Sequence, residues 1–323
     1  MSAAGIVRRL VWLLPVCVLA AAALPARAAD GLKLAVGAPG NWDTSIPEVG
    51  QRAGIFARHG LQLDLLYTQG SGETMQAVIS GSADIGIAAG TQAVMGAFAR
   101  GAPIRILAAG TTGAGDLYWY VPAGSPVTSF TDTSGRTAGF STVGASTHVA
   151  LLALIRHFGT TTRPVATGAG AVTLTEVMSG QVDVGWASPP FGLREIQEGR
   201  IRPIARGSDA PSMANQTVRV HIVNSEVLAS RAEVIGRFLE AYRDAYAFLY
   251  DDPRGVHVYA EYSRVPEDLA VQIRDSFMPR PVMSPDTVSG LDAVMADAVT
   301  FRTLSAPLSP RQLDELIRLG PRR

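Results

Sequence analysis

The sequence predicts an α/β protein of two similar lobes with a cleft between them, and three observations predict it. First, GETMQAVISGSADIG at 72–86 is echoed 99 positions later by AVTLTEVMSGQVDVG at 171–185. Ser80, Gly81, Asp84 and Gly86 match Ser179, Gly180, Asp183 and Gly185 without a gap. Second, the echo keeps its order upstream: IFARHG at 55–60 faces LIRHFG at 154–159, and GSG at 70–72 faces GAG at 168–170. Third, each half alternates strand-like and helix-like runs, the pattern of mostly parallel sheets flanked by helices. The period far exceeds the 20–50 residues of solenoids, so the repeat is a duplicated lobe and not an array.

The elements follow in order. LKLAVG at 32–37 reads as the first strand, and a turn-rich loop follows at 38–45. Residues 47–59 carry apolar side chains at helical spacing and stop at Gly60, a good C-terminal signal. Strands are expected at 61–67, 85–88 and 103–109. Helices are expected at 73–80, with Ser71 as a plausible N-cap, and at 92–100. DLYWYV at 116–121 reads as a long strand leaving the first lobe. In the second lobe strands are expected at 136–141, 163–166, 182–186 and 201–205, with helices at 146–158 and 173–179. VRVHIV at 218–223 alternates and carries the chain back, and helices follow at 231–250, 266–277, 285–300 and 309–319. The expected division is a leader at 1–28, lobe I at 29–115 and 216–323, and lobe II at 116–215.

Arg8 and Arg9, an apolar run at 10–24 and Ala26-Arg27-Ala28 have the layout of a cleaved secretory signal peptide. The run is short for a span of about 20 residues and holds Pro15, so a soluble exported chain starting at Ala29 is expected. Cys17, the one cysteine, would leave with the leader, and neither disulfides nor thiol chemistry would remain. The leader holds three arginines and no acid. The remainder then carries 25 basic against 28 acidic residues, a net charge of −3, which gives no reason to expect nucleic acid or anionic lipid as partner.

Ligands of such sheets sit beyond the carboxyl ends of the strands, where helix N-termini point. The loops at 37–45, 70–74 and 88–92, with counterparts at 141–148, 167–172 and 185–191, combine Gly with Ser or Thr at helix starts. STVGASTH at 141–148 offers several hydroxyls at one helix N-terminus, although Ser146 or Thr147 alone also suits a cap. Trp42 and Trp186 could flank a ligand's planar part from opposite lobes, with Asp43 for a donor or cation; core packing and capping are the competing roles. Asp84 and Asp183 sit between a Gly turn and a buried strand, which points to structure over catalysis. The histidines show no metal-ligand spacing, and neither a nucleophile elbow nor a P-loop is present. No catalytic or metal residues and no cofactor are expected.

The runs AGIFARHGLQLDL at 53–65, GSGETMQAVISGSADIGIAAGTQAV at 70–94 and ARGAPIRILAAG at 99–110 resemble the solute-binding proteins of the nitrate/sulfonate/taurine type. So do the runs at 130–159 and VMSGQVDVGWASPP at 177–190. Thiamine-pyrimidine precursor binders and synthases share that fold. The resemblance covers most of 32–190 and departs at DTSGR (132–136), where the family more often has Asp-Leu-Lys-Gly-Lys. It implies a two-lobe, type II periplasmic-binding-protein-like fold, closure about a hinge, and a partner permease driven by a cytoplasmic ATPase. By position it implies ligand contacts at Trp42, Asp43, Ser71, Gly72, Glu73 and Thr91 from one lobe. From the other it implies Gly144, Ser146, Thr147, His148, Trp186 and Ser188. These loops hold no Arg, so a small organic anion, held by helix N-termini and hydroxyls, is expected in preference to an inorganic one. A periplasmic monomer is expected, with no enzymatic activity. The alternatives are an exported sensor and, with Lys33 as its one lysine, a pyrimidine-precursor synthase using pyridoxal.

Overall fold

The computed structural model describes residues 29–37 and 39–320; the expected leader and its cleavage site lie outside the described residues. The first sheet holds β1 (Asp30–Val36), β2 (Leu61–Tyr67), β3 (Ile85–Gly90), β4 (Ile104–Thr112) and β10 (Thr217–Asn224), in the order β2-β1-β3-β10-β4. β10 runs antiparallel to both neighbours, and β1 pairs parallel with β2 and β3. The second lobe holds β5 (Tyr118–Pro122), β6 (Thr137–Phe140), β7 (Arg163–Ala166), β8 (Gly185–Ala187) and β9 (Ile201–Arg206). Here β5 lies between β8 and β9, and β6 pairs with β7. A parallel bridge between Ala138 and Val184 links the two groups, so the order β7-β6-β8-β5-β9 mirrors the first lobe. In each sheet the antiparallel strand is the one entered just after the chain crosses between lobes.

Alternation along β1 sends Leu32, Leu34 and Val36 to one face and Ala35 to the other, and each face meets its own core. The first face packs under α1 (Ile46–Arg52), α2 (Ile55–Arg58) and α9 (Ala232–Asp251), through Phe56, Phe238 and Tyr242. The single helix expected over 47–59 is two helices. The break falls at Gly54, whose φ of +68° is left-handed, a conformation glycine adopts without penalty. The other face is covered by α3 (Ser71–Ile79), α4 (Thr91–Ala99) and the C-terminal helices α12 (Leu291–Thr300) and α13 (Pro310–Leu316). The second lobe folds around Trp119, Phe140, Leu151 and Trp186, with α5 (Ser146–Phe158) and α6 (Gly170–Met178) against its sheet. The remaining helices are α7 (Leu193–Gln197), α8 (Ser225–Ser230), α10 (Pro253–Ser263) and α11 (Glu267–Ser276).

The repeat is reproduced bond for bond. Asp84 Oδ2 accepts from the Lys33 backbone N–H at 2.8 Å, and Asp183 Oδ2 accepts from the Thr137 N–H at 2.8 Å. Both acids thus tie the last strand of the repeat to the first, a structural role. Thr68 and Thr74 share a hydroxyl hydrogen bond of 2.8 Å, and Thr167 and Thr173 one of 2.6 Å. Thr68 also bonds to Val36 O, as Thr167 does to Phe140 O. These pairs fix the loops that deliver α3 and α6.

Candidate functional site

A cavity of about 60 Å³ lies between the lobes, lined from both, with room for roughly four to six waters at ~10–15 Å³ each. Three helices begin on its wall: α3 through Gly70 and Ser71, α5 through Ala145, Ser146 and Thr147, and α6 through Ala169 and Gly170. The first four N–H groups of a helix have no intrahelical acceptor. Their N-cap residues are Gly70, Ala145 and Ala169, and none supplies a side-chain cap. Ser71, expected as an N-cap, is therefore the first helical residue, and Ser146 is too. Three uncapped N-termini around one cavity favour negative charge within it.

Arg219 enters this wall from β10, not from a loop. Its side chain is 6 % exposed. It donates through Nε to Ser146 Oγ at 2.8 Å, through one terminal nitrogen to Asp43 Oδ2 at 3.1 Å, and through the other to Asp116 Oδ2 at 2.9 Å. Ser188 Oγ donates to the same Asp116 oxygen at 2.8 Å. The loops do hold no Arg, but an arginine from a strand lines the cavity, so that absence no longer counts against an inorganic anion. Burial works against Arg219's charge, but Asp116 and Asp43 outweigh it and hold the guanidinium above its ordinary value. Burial also pushes the Asp43 carboxyl up, with Arg219 pulling it down and Asp116 raising it.

Asp43, Ser71, Ser146, Thr147, Trp186 and Ser188 all line the cavity. Trp42 does not; it is fully buried, donates from Nε1 to Tyr250 Oη at 2.9 Å and packs edge-on against Tyr259. No pair of tryptophans flanks the cavity. Gly72 meets the opposite lobe, donating its N–H to Thr142 Oγ1 at 3.1 Å. Glu73 is exposed and accepts from the Gln69 N–H. Thr91 and Gly144 line a smaller recess of about 10 Å³, behind Ser146. His148 turns back to its own loop, accepting from the Gly144 N–H at Nδ1 and packing at a tilt against the Phe140 ring. Burial holds its pKa below the ordinary value.

Arg219, Asp116, Leu117 and Gln69 lie outside the loops singled out from sequence, and Asn41 and Phe191 lie within those loops without having been named as contacts. Several polar atoms at the cavity are buried without a hydrogen-bond partner: Asn41 Oδ1, Asp43 Oδ1, Ser71 Oγ and Trp186 Nε1. One wall is held by His221 of β10. Its Nδ1 accepts from the N–H of Ala88, a non-glycine residue at φ +60°, and its Nε2 lies 2.7 Å from Tyr242 Oη. Because Nδ1 accepts, the neutral ring carries its proton on Nε2. Among the described residues no group of three or more potential metal ligands gathers, and no helix is long and apolar enough to cross a membrane.

The family model described as NMT1/THI5 like matches residues 46–256, from α1 into α10, a span that includes the cavity-lining residues from Gln69 to Arg219 but not Gly37, Asn41, Asp43 and Thr44 of the first loop. The chain belongs to the NMT1/THI5-like family. A 4-amino-5-hydroxymethyl-2-methylpyrimidine phosphate synthase of Uromyces fabae is 25% identical over 238 residues, 67% of this chain and 65% of that protein. The chain therefore spans about two-thirds of that relative's length. Among solved structures, the alkanesulfonate-binding protein of Xanthomonas axonopodis pv. citri bound to MOPS superposes with a TM-score of 0.74 at 18% identity. It covers 91% of this chain and all of that one. The periplasmic nitrate-binding protein of Synechocystis PCC 6803 gives 0.69 at 12%, over 90% of this chain and 86% of its own. The chain thus shares the two-lobe fold of these binding proteins.

Proposed function

We propose that this protein is the soluble, periplasmic substrate-binding component of an ABC importer, working as a monomer. It captures a small organic anion, sulfonate- or carboxylate-like, by closing its lobes and delivers it to a membrane permease with a cytoplasmic ATPase. The observation that carries the reading is the convergence of three uncapped helix N-termini on one interlobe cavity that also holds Arg219. The alkanesulfonate and nitrate specificities of the structural neighbours agree with it. A synthase-like enzyme is the second reading, favoured by the fungal relative. A lysine-anchored pyridoxal would find no lysine here, since Lys33 is exposed on β1 and does not line the cavity. A thermal-shift screen of organic sulfonates, carboxylates and pyrimidines tests the proposal. A true ligand at 100 times its Kd adds about 2.7 kcal/mol of stability. Stabilisation by pyrimidines alone would sink the organic-acid reading.

A further inference from the structure

We propose that the protein has a second, separate binding site, on the far side of Tyr118 from the interlobe cavity, and that it takes a small monocyclic aromatic acid. A pocket of about 180 Å³ opens there, walled by Tyr118 of β5, Leu193 and Ile196 of α7, Pro203 of β9, and Phe277 at the end of α11. Tyr118 Oη donates to the Phe191 carbonyl, and Phe191 lines the interlobe cavity, so this pair is the partition between the two spaces. Size sets the first limit on an occupant. An apolar cavity of about 150 Å³ holds one benzene. The pocket at about 180 Å³ therefore has room for one ring with a small substituent, whereas the interlobe cavity at about 60 Å³ has not.

The walls set the chemistry. Tyr118 is 2 % exposed and Leu193 6 %, and the Tyr118 and Phe277 rings suit a third ring packed edge-on or offset. Arg206, the last residue of β9, closes one side, its guanidinium carbon 5.0 Å from the centre of the Phe277 ring. Burial, Tyr120 and Glu195 push the Tyr118 hydroxyl above its ordinary value, and Arg206 acts against them, which agrees with a cation standing beside this pocket. Among the described residues no carboxylate lies within ion-pair distance of that guanidinium. Glu195 of α7 and Asp275 of α11 are held by Arg200 and Arg274, at 2.8 and 2.7 Å. A guanidinium is a two-pronged partner for a carboxylate, and the amides of Gln197 and Gln272 add neutral donors to the same lining. The apolar wall thus takes the ring and Arg206 takes the acid. Gln272 and Phe277 belong to the first lobe and the other walls to the second, so an occupant also bridges the lobes outside the cleft.

Methyl-resolved NMR of the purified protein, titrated with benzoate and with benzamide as its uncharged counterpart, tests this. Benzoate should shift the Leu193 and Ile196 methyl signals and saturate them with a Kd tighter than about 1 mM. In Arg206→Gln its affinity should fall at least about 5-fold, a hydrogen bond to a charged group weakened by solvent screening. Benzamide should bind more weakly than benzoate and respond little to that substitution. Arg206 is exposed, so the variant is expected to fold; should it not, the benzoate-to-benzamide ratio in the unaltered protein decides alone. Leu193 and Ile196 signals unmoved at 10-fold above that concentration, about 10 mM, would overturn the site. So would benzoate shifts confined to the residues of the interlobe cavity. Equal affinity for benzoate and benzamide would overturn the assignment of an acid to Arg206.

Discussion

Arg219 makes three hydrogen bonds to side chains from three separate segments, so its position depends on all of them. Ser146 reaches it from the start of α5 in the second lobe, and with Ala145 as the N-cap its hydroxyl has no capping duty. Ser146→Ala should therefore weaken ligand binding by about 10- to 150-fold, the cost of deleting a hydrogen bond to a charged group. Calorimetric titration checks it, and unchanged affinity would detach Arg219's second-lobe contact from ligand capture. His221 makes a different prediction. Burial drops its pKa from 6.5 to about 3. The folded state thus binds fewer protons than the unfolded chain between those values, and stability rises with pH across that window. Urea unfolding should show a loss approaching about 1.4 kcal/mol per pH unit below 6.5, largely absent in His221→Asn. A profile equally steep in both proteins would refute it. Both residues sat in plain view in VRVHIV, read only as a crossing strand. Two basic side chains, two apart on one face of an apolar run, signal a need for buried partners. Which partners they find depends on the meeting of β10 with segments from 21 to 176 residues away, and spacing alone does not show that. Trp42 failed for the complementary reason: a loop residue looks exposed in sequence until α9 and α10 cover it.

The repeat made the elements easy to read, because two copies of a weak pattern constrain each other. The Asp84 and Asp183 roles were legible for that reason, and the Thr68–Thr74 and Thr167–Thr173 pairs obey the same 99-residue offset. Helix starts were less legible. Ser71 and Ser146 look like caps, yet Gly70 and Ala145 occupy that position, and neither N-cap residue supplies a side-chain hydrogen bond to its helix. The C-terminal helices have no second copy, and there only amphipathic spacing was available. One prediction belongs to the meeting of elements. A Cβ on Gly90, at the end of β3, would stand 2.5 Å from Gly144 O and 3.3 Å from the Ala145 Cα across the cleft. The backbone at Gly90, φ −64° and ψ 121°, itself accepts alanine. Gly90→Ala should thus obstruct closure without straining a separated pair of lobes. Ligand affinity should fall at least about 10-fold, or 1.4 kcal/mol, with little change in the melting temperature of the free protein. Full affinity in this variant would mean that the lobes need not come this close.

At the scale of the molecule, the lobes touch in this structure through Gly72 and Thr142 and through Gly90 and Gly144, and the proposed closure predicts that they part when no ligand is bound. Without ligand, small-angle scattering should give a larger radius of gyration than with saturating ligand. The closed value should approach ~19 Å for about 290 compact residues. Equal radii, with binding proven, would mark a rigid pocket. Closing from 1:99 to 99:1 asks the ligand for about 5.5 kcal/mol of preference for the closed form, and the location of the Asp116–Arg219 pair bears on how that preference is delivered. Asp116 stands at the first crossing between sheets and Arg219 just after the second, so the pair ties the two connections together where the proposed closure would have its fulcrum. Beside a fulcrum, a displacement of a fraction of an ångström becomes a wide sweep at the outer rims, as a short handle drives long jaws. Under the proposed closure, a solute's charge would be tested with almost no movement where the test is made, and the result announced on the distant surfaces that another protein would feel.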